Sequence, residues 1–94
     1  HPSLLPAFPG LEAWQQALDY GVKYTGATVH FVEQGIDSGA IIAQESVPLL
    51  DNDTPERLLD RIHKAEYRIY PKAIADIARG DIMLKGRRTH RLPA

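Results

Sequence analysis

Three ionisable side chains occupy loops or strand ends, where catalytic groups are commonly presented: His1 heads a proline-rich opening, His30 lies in a β-branched run, and Asp37 sits in a turn flanked by glycines. Imidazole is the one side chain that titrates near neutrality, at ~6.5. A carboxylate held by backbone N–H groups and aimed at such a ring fixes its orientation and favours its cation. The pair is then an acid–base unit able to stabilise an oxyanion. The same residues also have a plainer reading, in which Asp37 closes an Asx-type turn and His30 fills a strand position. Glu66 is a fourth candidate. It lies one helical turn after Ile62 and beside Ala65, at the edge of an apolar stripe, where a carboxylate serves either a ligand or an ordinary pair with a nearby Arg or Lys. The cations of KGRRTHR are expected to be a solvated basic tail rather than a phosphate site.

These groups need elements to position them. Residues 1–10 (HPSLLPAFPG) contain three prolines and read as an ordered loop, since each fixes its own φ and pushes its predecessor out of helix. Residues 11–20 place Leu11, Trp14, Ala17 and Leu18 at helical spacing, with Gly21 suited to the left-handed turn that ends a helix. Residues 27–32 predict a strand, with Ala27, Val29 and Phe31 on one face and Thr28, His30 and Val32 on the other. Residues 33–39 (EQGIDSG) have the chemistry of a tight connection, leading to a second, largely apolar strand at 40–50 that pairs with the first and has Pro48 at a sheet edge. The DNDTPE run then supplies helix-start signals: Asp53 or Thr54 to cap, Pro55 for the first turn and Glu56 for the positive end of the dipole. Leu58, Ile62, Ala65, Ile69, Ala73 and Ile77 continue a long helix to Gly80, with a kink or break expected near Tyr70 because Pro71 follows it. A short strand at 82–84 closes the pattern.

The chain has 94 residues, no Cys, and 11 Lys+Arg against 12 Asp+Glu, a formal charge of -1. That near-neutral balance weighs against a nucleic-acid or membrane surface, which would need a marked excess of cations. No apolar stretch approaches the ~20 residues needed to cross a bilayer, so a cytoplasmic setting and small ligands are expected. Mixed helices and strands without a repeating βαβ rhythm predict a lopsided α/β layer that needs a partner segment to cover its sheet. The loop-like opening at His1 reads as the start of a fragment.

Three stretches carry a family resemblance: HPSLLPAFPG, GATVHFVEQGIDSG and HKAEYRIYP. The central one resembles the signature of folate-dependent formyltransferases, and the last is most similar to their phosphoribosylglycinamide branch. The resemblance covers most of the chain and fades after Gly80. It implies that residues 1–94 are the carboxyl-terminal half of a single Rossmann-like α/β domain with a mixed sheet, a strand pair and a long C-terminal helix, lacking its amino-terminal half. It also implies formyl transfer from 10-formyltetrahydrofolate, the co-substrate, to the primary amine of glycinamide ribonucleotide, without a metal. The residues implied are catalytic His1, Asp37 and His30; folate-binding Glu33, Gln34, Gly35, Ile36 and Asp37; and Glu66 on the ribose hydroxyls.

The family's catalytic asparagine, two positions before the histidine, would fall before residue 1, as would the loop that holds the substrate phosphate. The isolated fragment is therefore expected to be a poor catalyst that needs its amino-terminal half, and a homodimer is left open. Ala40 stands where many relatives have proline, which should loosen the turn slightly. The rival readings are a formyltetrahydrofolate hydrolase, a methionyl-tRNA formyltransferase, and a non-catalytic piece that only pairs with its other half.

Overall fold

The computed structural model describes residues 1–32, 35 and 38–92; the site expectations for Glu33, Gln34, Ile36 and Asp37 lie outside the described residues. In chain order the elements are α1 (Ala13–Tyr20), β1 (Tyr24–His30), β2 (Ile41–Pro48), α2 (Pro55–Ala78), β3 (Ile82–Lys85) and β4 (Arg88–Arg91). β1 and β2 form an antiparallel pair running from Tyr24↔Pro48 to His30↔Ile41. β3 and β4 form a second antiparallel pair. This is the α/β layout with a strand pair and a long helix that the sequence predicts.

The helix boundaries follow from local chemistry. Thr54 caps α2 by accepting the Arg57 N–H at 3.2 Å, Pro55 occupies the first turn and Glu56 lies at its positive end. Gly21 ends α1 at φ 86, its N–H returning to the Ala17 carbonyl. Along α2, Leu58, Ile62 and Ala65 are buried against Ala27 of β1 and Val47 of β2, and Trp14 and Leu18 of α1 pack onto the same cluster. One stripe of one helix therefore holds both strands and the short helix together.

Several expectations are corrected. Leu11 precedes α1 and is 89% exposed, so it takes no part in the apolar face. The first strand starts earlier and stops at His30; Phe31 and Val32 follow it, and Val32 is 92% exposed. Its interior positions from Thr25 to Val29 are buried on both faces rather than alternating, because α2 covers one side and residues 1–10 lie against the other. The second strand is only partly covered despite its largely apolar sequence, with Val47 its one buried member. Pro71 does not break α2, which runs through it. Pro71 is exposed while Ala65 and Ala73 on either side are buried, so core packing outweighs the one missing donor.

The basic tail is not a tail. Arg88 to Arg91 form β4, and Arg91 and Arg79 both pair with Asp76, which is 4% exposed. A buried carboxylate requires such compensation, and the tail cation provides it. Sequence periodicity had no means of matching Arg91 with an acid on a preceding helix.

The turn before α2 is held by a second buried acid. Asp53 was one of two candidate caps, but its carboxylate instead accepts the Leu50 N–H at 2.7 Å and both terminal nitrogens of Arg61. Hydrogen bonding from Arg61 holds the Asp53 carboxyl below its ordinary 3.8. The native state thus binds fewer protons than the unfolded chain between these two values, so this contribution is complete above 3.8 and is lost as pH falls through the depressed value. The expected outcome is that Asp53→Asn is less stable than wild type near neutrality and that the gap closes in strong acid. Urea titrations at a series of pH values check it, and a pH-independent gap would refute the linkage.

Candidate functional site

His1 is placed by β1. Its nitrogen donates to the Thr28 carbonyl at 2.7 Å and its carbonyl accepts the Thr28 N–H at 2.9 Å, the exchange of an antiparallel hydrogen-bonded pair. Because Thr28 turns its backbone groups towards His1, its cross-strand partner Gln44 is a non-hydrogen-bonded neighbour whose side chain can come close.

The Thr28 hydroxyl then ties three segments together. It donates to the Ser3 carbonyl at 2.7 Å, and accepts from the Leu5 N–H at 3.1 Å and from Gln44 Nε2 at 3.0 Å. Gln44 Nε2 also reaches the Leu5 carbonyl at 2.9 Å. One donor and two acceptor positions are all that a hydroxyl has, so Thr28 is saturated. Ser3, fully buried, closes the loop by donating to the Ala7 carbonyl at 2.6 Å. Next to it the His1 ring presents Nε2 to the Phe8 carbonyl at 2.9 Å. A carbonyl only accepts, so Nε2 carries a hydrogen and the charge of the ring is decided at Nδ1. Phe8 adopts φ 51, a left-handed conformation rare for a bulky residue.

His30 closes β1, where the register slips between Val29 and His30. Such an irregularity re-aims a side chain at the end of a ladder. Its Nδ1 lies 2.9 Å from the Phe31 carbonyl. Glu66 comes from α2, one position around from the core residue Ala65, and its side chain is 30% exposed. Glu66 Oε2 lies 3.9 Å from the His1 nitrogen, and Oε1 lies 3.9 Å from Nε2 of His63.

These residues meet at an open cleft of about 490 Å³ lined by His1, Thr28 and His30 on one side and by Glu66 on the other. Of the expected site residues in described positions, His1, His30 and Glu66 are thus brought together. Gly35 does not line this cleft. Sequence reasoning missed His63, Tyr67 and Tyr70, which share the α2 wall with Glu66. A signal was available: 63, 66, 67 and 70 are spaced i, i+3, i+4 and i+7, a polar-aromatic stripe beside the apolar one. The arrangement offers an imidazole with a defined tautomer, a second imidazole, a carboxylate and two phenol rings in one concavity. That set suits recognition of a polar ligand together with proton transfer. Among the described residues no group of His, Cys, Asp and Glu is arranged to hold a metal ion.

A family model described as formyl transferase matches residues 1–74. The chain belongs to the formyl transferase family. Within that family it is 51% identical over 87 residues to the phosphoribosylglycinamide formyltransferase of Mycobacterium tuberculosis, covering 93% of this chain and 40% of that protein. It is 50% identical over 84 residues to the trifunctional purine biosynthetic protein adenosine-3 of Drosophila melanogaster, covering 89% of this chain and 6% of that protein. The crystal structure of glycinamide ribonucleotide transformylase 1 from Symbiobacterium toebii superposes with a TM-score of 0.97 at 57% identity, over 99% of this chain and 44% of that one. This formyl transferase chain therefore spans less than half of the relatives it matches. No described helix is long and apolar enough to cross a membrane.

The Thr28 hydroxyl gives a direct test of how the His1 loop is held. Thr28→Val keeps the shape but orphans the Leu5 N–H and the Ser3 carbonyl, so a loss of about 1–3 kcal/mol is expected, whereas Thr28→Ser should retain most of it. Denaturant titration of the two variants checks this, and a larger loss in Thr28→Ser than in Thr28→Val would show that the methyl group rather than the hydroxyl matters.

Proposed function

We propose that this chain supplies the histidine and aspartate part of a site that transfers a formyl group from 10-formyltetrahydrofolate to the primary amine of glycinamide ribonucleotide. It would work together with an amino-terminal half of the kind its longer relatives possess. The observation that carries the reading is the convergence of His1, His30 and Glu66, from three separate elements, on one cleft. The names of its relatives support the same acceptor.

In this reading the amine nitrogen attacks the formyl carbon, a C–N bond forms, and the carbonyl pair moves onto oxygen. His1, its Nε2 hydrogen engaged by Phe8, acts as an imidazolium that stabilises the developing negative charge. Asp37 holds that cation. It also takes the proton released by the attacking nitrogen and returns it, through water, to the departing folate nitrogen as the old C–N bond breaks. Atoms and charge balance without an oxidant or a metal. Glu66 accepts from the ribose hydroxyls of the nucleotide, and the 33–37 segment contacts the pterin.

The assignment of roles makes distinct kinetic predictions, measured on the chain complemented by the amino-terminal half. His1→Ala and Asp37→Asn should each lower kcat by about 100- to 1,000-fold, as loss of a transition-state contact does. Glu66→Gln should raise KM for the ribonucleotide with little change in kcat, the pattern of lost uniform binding. Parallel assays with water and with formylatable aminoacyl-tRNA as acceptor test the sister activities. A well-folded complex with no transfer to the ribonucleotide would overturn the proposal.

A further inference from the structure

Gln44 lies on β2 opposite Thr28, and its amide turns back towards the opening loop. Nε2 stands 2.9 Å from the Leu5 carbonyl and 3.0 Å from the Thr28 hydroxyl. A carbonyl only accepts, so the nitrogen end of the amide has to face Leu5. The Thr28 hydrogen is already given to the Ser3 carbonyl at 2.7 Å, which leaves the Thr28 oxygen with lone pairs alone to offer. Both neighbours of the Gln44 amide are therefore acceptors, and a side chain with two hydrogens to give meets them both.

The effect falls on Leu5. Its N–H donates to the Thr28 hydroxyl at 3.1 Å and its carbonyl accepts from Gln44, so both of its backbone groups are taken by side chains of the strand pair. Leu5 itself is buried. From this anchored point the chain turns back at once. The Ala7 N–H donates to the Leu4 carbonyl at 3.0 Å, and the Ser3 hydroxyl reaches the Ala7 carbonyl at 2.6 Å and the Phe8 carbonyl at 3.3 Å. The turn ends at Phe8, whose carbonyl engages Nε2 of the His1 ring. The left-handed φ of 51 at Phe8 persists in a bulky residue only where the surroundings impose it. One amide on β2 thus fixes the base of the turn that carries the acceptor for the imidazole.

We propose that Gln44 is a positioning residue for His1: by pinning Leu5 to the sheet it holds the Phe8 carbonyl against Nε2, and so keeps the imidazole aimed at the developing oxyanion. This rests on the reading of His1 under the proposed function. Gln44 does not line the cleft shared by His1 and Glu66, so it acts through the opening loop and binding of the ribonucleotide should be indifferent to it. A small misplacement of an oxyanion donor is costly in rate even when substrate still binds.

The test compares wild type with Gln44→Leu, which removes the amide, and with Gln44→Glu, which keeps the length of the side chain but sets an acceptor against two acceptors. All are prepared as the whole chain complemented by its amino-terminal half. Each variant should lower kcat for formyl transfer by about 10- to 100-fold, with KM for the ribonucleotide unchanged. Exchange of the His1 Nε2 hydrogen with solvent, followed by isotope-edited NMR and assigned against His1→Ala, should accelerate in both. Asp53→Asn is the control for lost stability alone, since Asp53 braces the turn before α2, and it should keep the kcat of wild type.

Wild-type kcat in either folded variant would overturn the proposal, and so would a loss of kcat with unaltered exchange at Nε2. An equal fall of kcat in Asp53→Asn would show that the rate merely follows stability, which also overturns it. A wild-type complex that formylates no ribonucleotide would instead sink the functional reading beneath it, while the exchange measurement still decides whether Gln44 holds the ring.

Discussion

The site depends on one hydroxyl. Thr28 stands in the middle of β1 with every hydrogen-bonding position filled, and the groups that fill them belong to the opening loop and to β2. Buried polar groups are costly when unpaired and rigidifying when fully paired, so this small network does more than add stability. It converts a proline-rich segment with no regular structure of its own into a fixed seat for an imidazole. There the Phe8 carbonyl engages Nε2 of the His1 ring.

α2 serves the other side of the cleft by carrying two stripes. Leu58, Ile62 and Ala65 anchor it to the sheet, and the residues one step around, from His63 to Tyr70, face the cavity. Because 3.6 residues make a turn, any rotation that exposed the core stripe would swing Glu66 away as well. Packing and ligand geometry are thereby coupled in one rigid body, with apolar burial supplying the force.

Much of this was legible in the residues. The cap chemistry of Thr54 and Pro55, the glycine stop at Gly21 and the pairing of the two strands are local matters, and local signals predict them. His1, His30 and Glu66 were singled out as well and share one cleft, while the roles proposed for them came from resemblance rather than from spacing. What stayed hidden was long-range. The pairing of Arg91 with Asp76, the docking of Thr89 on Ile41 and the burial of β1 by the opening loop all join positions that carry no mutual mark in the sequence. The cleft residues of α2 were hidden for another reason, since a stripe of His, Glu and Tyr looks like an ordinary half-wet helix face until a second surface is placed opposite it.

The partners that seat His1 lie far along the chain from it: Leu5 meets Thr28 across 23 residues and Gln44 across 39. The strand pair and α2, by contrast, join segments that follow one another directly. Distant closures carry a larger entropic penalty and form after nearby ones, so the imidazole reaches its seat only once the sheet is built. Release of the opening loop alone would displace the histidine while leaving the apolar cluster of α2 and the strands in place. The geometry around the histidine is thus open to disturbance by a smaller excursion than unfolding.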